Sequence, residues 1–341
     1  MGSPSVPVVL HVGAAKTATT TLQKNIFARL PGITYLGKPN PLDRGCTIRG
    51  LSPPHYLLLE RIGNKIVREK VYPRDDIREL RNLIERLEEF GEPIIYSNEL
   101  LSDNKCVSFE EIAKRLREGF GDADLIFTVR DPLTALPSMY LHEMRDRLCD
   151  IPFTVWLDEV LADPRRTSRL EYPLEDSLEQ YQYASAIPQF RSAFDGRMEI
   201  LKFEDLTANP IKFACQLADF LSIDVKLITS LLKSAPKNAA KSADWYRYQR
   251  SYMKIKKIFP TGLLNVPLMN PVKQISRRVL DGAIDRVTSK QPSKSVELSD
   301  HDRQRIEQFF GIYAQELATA LRKIGLHHDP SAVEGPRGTA S

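Results

Sequence analysis

The sequence predicts an α/β fold, in which a central parallel sheet is flanked by helices and the C-terminal part is mainly helical. Short apolar, β-branched runs alternate with stretches in which apolar residues recur every three or four positions. Glycine and proline separate the two kinds of segment. Such alternation of strand and helix is typical of a parallel sheet covered on both faces.

The first predicted strand is the apolar run from Val6 to Val12, which ends at Gly13, and helical periodicity follows from about Thr20. A second helical pattern covers residues 77–90, and a glycine and a proline end it before the short strand Ile94–Ser97. The loops after these strands are where a ligand is expected in a parallel sheet.

Further along the chain, Ser108 and Glu111 have the spacing of a capping box and predict a helix to about Gly119. The next predicted strands are Leu125–Val129 and Met198–Phe203, and the later predicted helices are Ile211–Leu221 and Asp302–Ile324.

The length and composition favour one domain. A chain of 341 residues with 42% hydrophobic content can form one large α/β domain or two modest ones. We predict a single domain at 1–327, with a basic lid or acceptor-binding segment at 252–294 and a disordered tail at 328–341. The net charge of only +4 does not favour a nucleic-acid partner, so any anion site must be local.

The four cysteines are scattered along the chain, without a CxxC pair and without histidines at zinc spacing. They are therefore interpreted as free thiols in a reducing compartment. No leader of signal-peptide type and no run of eighteen apolar residues is present, so the expected location is the cytoplasm.

The most informative segment lies where the first strand gives way to a helix. It could bind an anion, because small residues let backbone N–H groups approach and the helix N-terminus is partially positive. Helix capping alone explains one threonine but not a lysine with several hydroxyls. The residues assigned to this loop are Gly13, Ala14, Ala15, Lys16, Thr17, Ala18, Thr19, Thr20 and Thr21.

The P-loop of ATP- and GTP-using enzymes is the obvious alternative, but its pattern requires a glycine before the lysine and a longer loop between the first glycine and the lysine. Here Ala15 precedes Lys16. The segment instead resembles the 5′-phosphosulfate loop of sulfotransferases that use 3′-phosphoadenylyl sulfate (PAPS), whose core reads Lys-Thr-Gly-Thr-Thr. Ala18 replaces the family's glycine, and we expect this position to have a negative φ.

A second segment, from Leu125 to Tyr140, resembles the 3′-phosphate motif of the same family. The resemblance assigns Arg130, at the end of a strand, and Ser138, on the following helix, to the 3′-phosphate of the donor. A guanidinium suits this role because it donates bidentate hydrogen bonds to phosphate oxygens. Lys237 and Asn238 match, more loosely, the loop that closes over the nucleotide in family members.

The general base that a sulfotransferase needs is assigned to Glu99, because this residue follows a strand by a short turn and the family has its base in this region. Glu99 as a helix-capping residue is the alternative. His11 is the rival base, although a histidine on a buried strand is more often a packing residue. His142 lies further from the expected site.

The resemblance spans about residues 6–325 and implies a P-loop-like sulfotransferase fold. It further implies metal-independent, in-line transfer of a sulfuryl group from PAPS to an acceptor hydroxyl or amine, with Lys16 and Glu99 as catalytic residues. The segment Lys202–Leu206 resembles a family segment of architectural role. The acceptor could be a glycan, a lipid or a small molecule, and residues 252–278 could contact a membrane surface. A metal-dependent nucleotide kinase and a non-catalytic polyanion-binding module are kept as alternatives.

Overall fold

A computed structural model describes residues 7–37, 51–146, 151–164, 178–234 and 296–325. The predicted basic segment and the predicted tail lie outside these ranges, as do Lys237 and Asn238. The strands are β1 Val8–Gly13, β2 Thr34–Tyr35, β3 Ile94–Ser97, β4 Asp124–Val129 and β5 Met198–Lys202.

A helix that changes type follows β1. This segment, α1, is an α-helix at Thr19–Thr21, a π-helix at Leu22–Ile26 and a 3-10 helix at Phe27–Arg29. Short 3-10 helices occupy Glu99–Ser102 and Leu178–Tyr181. The other helices are α2 Pro53–Arg68, α3 Arg74–Glu88, α4 Phe109–Phe120, α5 Pro132–Asp146, α6 Phe153–Ala162, α7 Tyr183–Ala193, α8 Phe203–Ala208, α9 Pro210–Leu221, α10 Val225–Lys233, α11 Asp300–Phe310 and α12 Tyr313–Lys323.

The five strands form one parallel sheet in the order β2-β3-β1-β4-β5. The chain leaves β1 toward the edge formed by β2, whereas it leaves β3 toward β4 on the other side. The neighbouring strands β1 and β3 therefore send their connections in opposite directions. In an open α/β sheet the ligand crevice lies at such a point, outside the carboxyl ends of the strands.

Side chains that alternate along each strand build a core on each face of the sheet. In β1, Val8, Leu10 and Val12 pack into the larger core, formed with α2–α7, α11 and α12, while Val9 packs into the smaller core with α1, α9 and α10. His11 lies on the same side of β1 as Val9. The predicted α/β class, with helices on both faces, is confirmed.

Local sequence signals explain the helices of the larger core. The apolar residues of α3 recur at spacings of three and four and are buried. Ser108 accepts a hydrogen bond from the Glu111 amide (3.3 Å) and begins α4 as its capping residue. The buried Arg115 of α4 donates to backbone oxygens at the end of α2, including those of Ile66 (3.1 Å) and Glu69 (2.7 Å), and so caps that helix.

The first predicted strand and the last predicted helix differ from the structure in their bounds or their continuity. The first strand covers Val8–Gly13 and so extends one residue past the predicted end at Val12, while the predicted start at Val6 lies outside the described residues. The predicted continuous helix Asp302–Ile324 is wrong, because Gly311 adopts a φ of 75° and separates α11 from α12. Glycine adopts a positive φ without the steric penalty that a Cβ atom brings, and it is therefore common where a helix ends. The break lets α11 pack on α5 and α6 while α12 packs on α7.

Candidate active site

The loop after β1 is built on a glycine that cannot carry a side chain. A Cβ atom at Gly13 would collide with the side chains of Thr128 and Thr19. The loop is held from below by Ser102, whose Oγ donates to the Gly13 carbonyl (3.1 Å), and by the Thr17 hydroxyl, which donates to the Ala14 carbonyl (2.7 Å). The first strand therefore meets the helix through a closely packed turn.

Two residues of this loop adopt left-handed backbone conformations. Lys16 has a φ of 65°, and Ala18 has a φ of 74° with a ψ of 13°. The expectation that Ala18 has a negative φ is therefore wrong. The Ala18 carbonyl accepts hydrogen bonds from the amides of Thr21 (2.9 Å) and Leu22 (3.1 Å), so this residue begins the first turn of α1. The position thus has the conformation that favours glycine, although it carries a methyl group.

Two residues of the 3-10 helix before α7 hold the loop backbone at Ala15. Its amide donates to the Gln180 side-chain oxygen (2.8 Å), and its carbonyl accepts from the Tyr181 hydroxyl (2.7 Å). Gln180 and Tyr181 belong to the 3-10 helix before α7 and are buried. Sequence reasoning missed both residues, since they lie in no motif and are distant along the chain.

Arg130 joins the second motif to the loop. Its Nη1 atom donates to the Lys16 carbonyl (2.8 Å), while Nε and Nη2 donate to the Thr134 hydroxyl (3.0 Å) and carbonyl (2.9 Å). The guanidinium lies over the Phe203 ring, 4.0 Å from its centroid. Burial lowers the pKa of Arg130, and Tyr181 and Glu204 oppose this shift. An arginine keeps its charge at neutral pH under such a shift.

The backbone that carries Arg130 is held by two further residues. The Tyr183 hydroxyl accepts from the Arg130 amide (3.0 Å) and donates to the Arg130 carbonyl (3.1 Å). The Glu204 carboxylate accepts from the Asp131 amide (3.0 Å). Phe203 and Glu204 come from the segment that was expected to be architectural, and both contact the arginine motif directly.

Ser138 lies on α5 and is half-buried. No hydrogen bond joins Ser138 to Arg130 in the described part of the chain, where Thr134 is the α5 residue bound to the guanidinium. The assignment of Ser138 to a 3′-phosphate therefore stays a prediction. Thr134 was missed because a hydroxyl one turn from an arginine is a common surface pattern.

Glu99 lies in the 3-10 helix after β3, and its carboxylate faces the loop after β1. Oε1 accepts a short hydrogen bond from the Thr19 hydroxyl and a longer one from the Thr20 hydroxyl (3.5 Å). The capping residue of this turn is Asn98, whose side chain accepts from the Leu100 amide (3.1 Å). Asn98, and not Glu99, is therefore the residue that caps this turn.

His11 lies beneath the loop in a buried polar layer. Its Nδ1 atom is 2.6 Å from the Ser97 hydroxyl and its Nε2 atom is 3.3 Å from the Thr128 hydroxyl. Thr128 Oγ1 is also 2.8 Å from Thr17 Oγ1. Burial lowers the pKa of His11 from 6.5 to about 3, so the ring is neutral at physiological pH. This geometry favours Glu99 over His11 as a base.

Neither metal-binding clusters nor membrane-spanning helices are found in the ranges that the structure describes. There, no three His, Cys, Asp or Glu side chains lie close enough to bind a metal ion. No helix of those ranges combines the length and the hydrophobicity needed to cross a bilayer.

Comparison with known proteins gives fold neighbours of low identity. No family model matches the chain, and no curated protein matches it. A sulfotransferase from Alicyclobacillus acidocaldarius is 15% identical, with a TM-score of 0.49, over 95% of this chain and 98% of that one. Mouse sulfotransferase SULT7A1 complexed with PAP is 15% identical, with a TM-score of 0.35, over 89% of each chain.

A sugar kinase from Janibacter sp. HTCC2649 is also similar, at 14% identity and a TM-score of 0.29, over 65% of this chain and 98% of that one. At such identities and scores, these likenesses establish neither the activity nor the ligands of this chain. The function must be argued from the residues of the site.

Proposed function

We propose that the chain transfers a sulfuryl group from PAPS to an acceptor hydroxyl or amine. The observation that carries this proposal is the convergence of three segments at the carboxyl edge of the sheet. Arg130 donates to the Lys16 carbonyl, and Glu99 accepts from Thr19. The arginine and the carboxylate therefore both contact the phosphate-type loop, as binding of the donor, its 3′-phosphate and the acceptor at one site would require.

Donor binding is assigned to the loop and to Arg130. The N–H groups at the start of α1 and the hydroxyls of Thr19 and Thr20 would bind the 5′-phosphosulfate. Lys16 would place its charge at the oxygen that bridges phosphorus and sulfur, where negative charge develops as the S–O bond breaks. The guanidinium of Arg130 has five N–H groups, and three hydrogen bonds leave donors for a 3′-phosphate.

Glu99 is assigned as the general base. The acceptor oxygen or nitrogen attacks sulfur, its proton passes to the Glu99 carboxylate, and 3′,5′-ADP leaves with the electrons of the broken S–O bond. The hydroxyls that bind Glu99 in this structure are those expected to bind the donor. Donor binding would thus release the carboxylate toward the acceptor, and we infer that the donor binds first.

A comparison of nucleotides tests donor use. We expect 3′,5′-ADP to bind roughly 10- to 100-fold more tightly than 5′-AMP, because charge-assisted hydrogen bonds to the 3′-phosphate contribute about this much to affinity. Isothermal calorimetry measures both affinities, with Ser138→Ala as a variant that should weaken only 3′,5′-ADP. Equal affinities would overturn the assignment of Arg130, and a strict magnesium requirement with tight ATP binding would favour a kinase.

A substitution that removes only the proton acceptor tests Glu99. Glu99→Gln should lower the single-turnover rate about 10²–10⁴-fold, while the protein keeps its affinity for 3′,5′-ADP because the phosphate-binding loop and Arg130 are unchanged. The exposed Glu118→Gln on α4 is the matched control and should keep the wild-type rate. A normal rate in Glu99→Gln would refute the assignment and return the search to His11.

A further inference from the structure

A polar groove lies between the segment leading into α4 and the start of α7. Its volume is about 330 Å³, at the lower end of the range for small-molecule sites. Ser185 and Gln189 are four residues apart and line it from one face of α7, and Gln182 lines it from the position just before that helix. Asn104 and Ser108 line it from the opposite side. Most of its lining can therefore form hydrogen bonds.

One atom in this groove lacks a hydrogen-bond partner. The Asn104 Nδ2 atom donates to Glu179 Oε2 (2.6 Å), which fixes the orientation of the amide. The Asn104 Oδ1 atom is buried, and no donor reaches it within the described residues. A buried acceptor without a donor is costly, so a small shift of the surrounding side chains that admits a ligand hydroxyl or amine to Asn104 Oδ1 would be favoured.

Both walls of the groove are attached to the loop after β1. One wall continues from Ser102, which donates to the Gly13 carbonyl. The other continues from Gln180 and Tyr181, which hold the amide and the carbonyl of Ala15. The segment with Asn104 also follows directly on the 3-10 helix that carries Glu99. Residues that hold the loop are therefore close neighbours in the chain of residues that line the groove, which favours a position of the groove near the transferred sulfuryl group.

The charges of the groove select among polar ligands. The lining carries two carboxylates, Glu110 and Glu179, against one ammonium group, that of Lys105. This negative balance disfavours an anionic ligand. We propose that the groove binds the acceptor of the transfer reaction, and that this acceptor is a neutral or amino-bearing sugar ring. The inference rests on the proposed function and deepens it by naming the acceptor class.

Cysteine protection tests binding without relying on turnover. Cys106 lines the groove and is partly exposed, whereas the exposed Cys215 lies on α9 and serves as the internal control. In the presence of 3′,5′-ADP, methyl glucosaminide should slow the labelling of Cys106 by N-ethylmaleimide and leave that of Cys215 unchanged, as peptide mass spectrometry measures. Unprotected Cys106 at saturating sugar, or protection by hexanol instead, would overturn the proposal.

Filling the groove gives the matching kinetic test. Ser185 is exposed on α7, so Ser185→Phe should raise the KM for methyl glucosaminide about ten-fold, by occluding the pocket, and leave 3′,5′-ADP affinity unchanged. Ser192→Phe, further along the same helix and outside the groove, is the control. Glu179→Gln should weaken the glucosaminide roughly five-fold relative to the glucoside, since a charge-assisted hydrogen bond becomes a neutral one.

The outcomes separate the two proposals. A chain that binds 3′,5′-ADP but sulfonates hexanol or a glucuronide better than the neutral and amino sugars overturns the acceptor assignment alone. An unchanged KM in Ser185→Phe does the same. A chain that does not distinguish 3′,5′-ADP from 5′-AMP overturns the proposed function as well.

Discussion

Replacing Ala18 by glycine should stabilise the protein, because this alanine adopts a left-handed backbone conformation (φ 74°) at the position where the resemblance expects glycine. The left-handed conformation costs an L-residue roughly 1–2 kcal/mol through contact of Cβ with the backbone. The greater freedom of glycine in the unfolded chain offsets about 0.4–1 kcal/mol of this gain. The middle of these ranges gives an expected net stabilisation of Ala18→Gly of about 0.8 kcal/mol.

Urea denaturation measures this difference directly, and thermal unfolding should show a rise in Tm of about 2 °C. The strain exists with and without donor, so the affinity for 3′,5′-ADP should not change. Ala15→Gly is the control in the same loop, because Ala15 is not among the residues with positive φ. This control should destabilise the chain by roughly 0.5–1 kcal/mol.

A second control lies outside the site. Ser222 ends α9 with a φ of 55°, so Ser222→Gly should also stabilise the protein without affecting the nucleotide. If Ala18→Gly destabilised the chain as Ala15→Gly does, position 18 would not be left-handed in solution. If instead the nucleotide affinity changed with stability unaltered, the strain would belong to the bound loop only.

Three further predictions follow from charged groups. Lys16→Ala should lower turnover about 10²–10³-fold in a sulfuryl-transfer assay, because the ammonium group that stabilises the charge on the leaving oxygen is lost. Lys16→Arg should restore little of this turnover, since a guanidinium does not replace the compact charge of an ammonium group. Arg115→Met should lower the free energy of unfolding by about 3 kcal/mol, because buried carbonyls lose their donor. Urea denaturation measures this loss, and the control Arg78→Met, at an exposed position, should change the free energy of unfolding by less than about 0.5 kcal/mol. Burial lowers the pKa of His11 to about 3 in the folded protein, so below about pH 6.5 only the unfolded chain binds the proton. The free energy of unfolding should therefore fall by roughly 1 kcal/mol per pH unit below about pH 6.5. His11→Gln should make this dependence on pH weaker.

Sequence patterns predicted the sheet well because its strands are buried on both faces and bounded by glycine or proline. β3 has the predicted bounds, and β4 differs by one residue at its start. β2 is only two residues long and carries no periodicity, so no pattern could reveal it. The conformational change within α1 was equally hidden, since a π-helix differs from an α-helix in hydrogen bonding and not in residue type.

The candidate site was predictable only where its residues follow strands. Lys16, Glu99 and Arg130 each lie just beyond a strand end, so the parallel topology alone places them at one edge. Gln180 reaches the same edge from the 3-10 helix before α7, and Tyr183 reaches it from the first position of α7. Their contacts depend on how α7 packs against the sheet. Neither the spacing of residues along the sequence nor their types predicts that packing.

The supports of the loop indicate which parts of the site are rigid and which must move. Its backbone is held at Gly13 by Ser102, at Ala15 by Gln180 and at Lys16 by Arg130. Three separate segments thus stabilise the strained conformation before any ligand binds, as preorganised electrostatic catalysis requires. Glu99 holds only the hydroxyls of Thr19 and Thr20, which the phosphosulfate would need. An anionic donor would therefore displace the carboxylate rather than reshape the loop, and that displacement would couple donor binding to base activation.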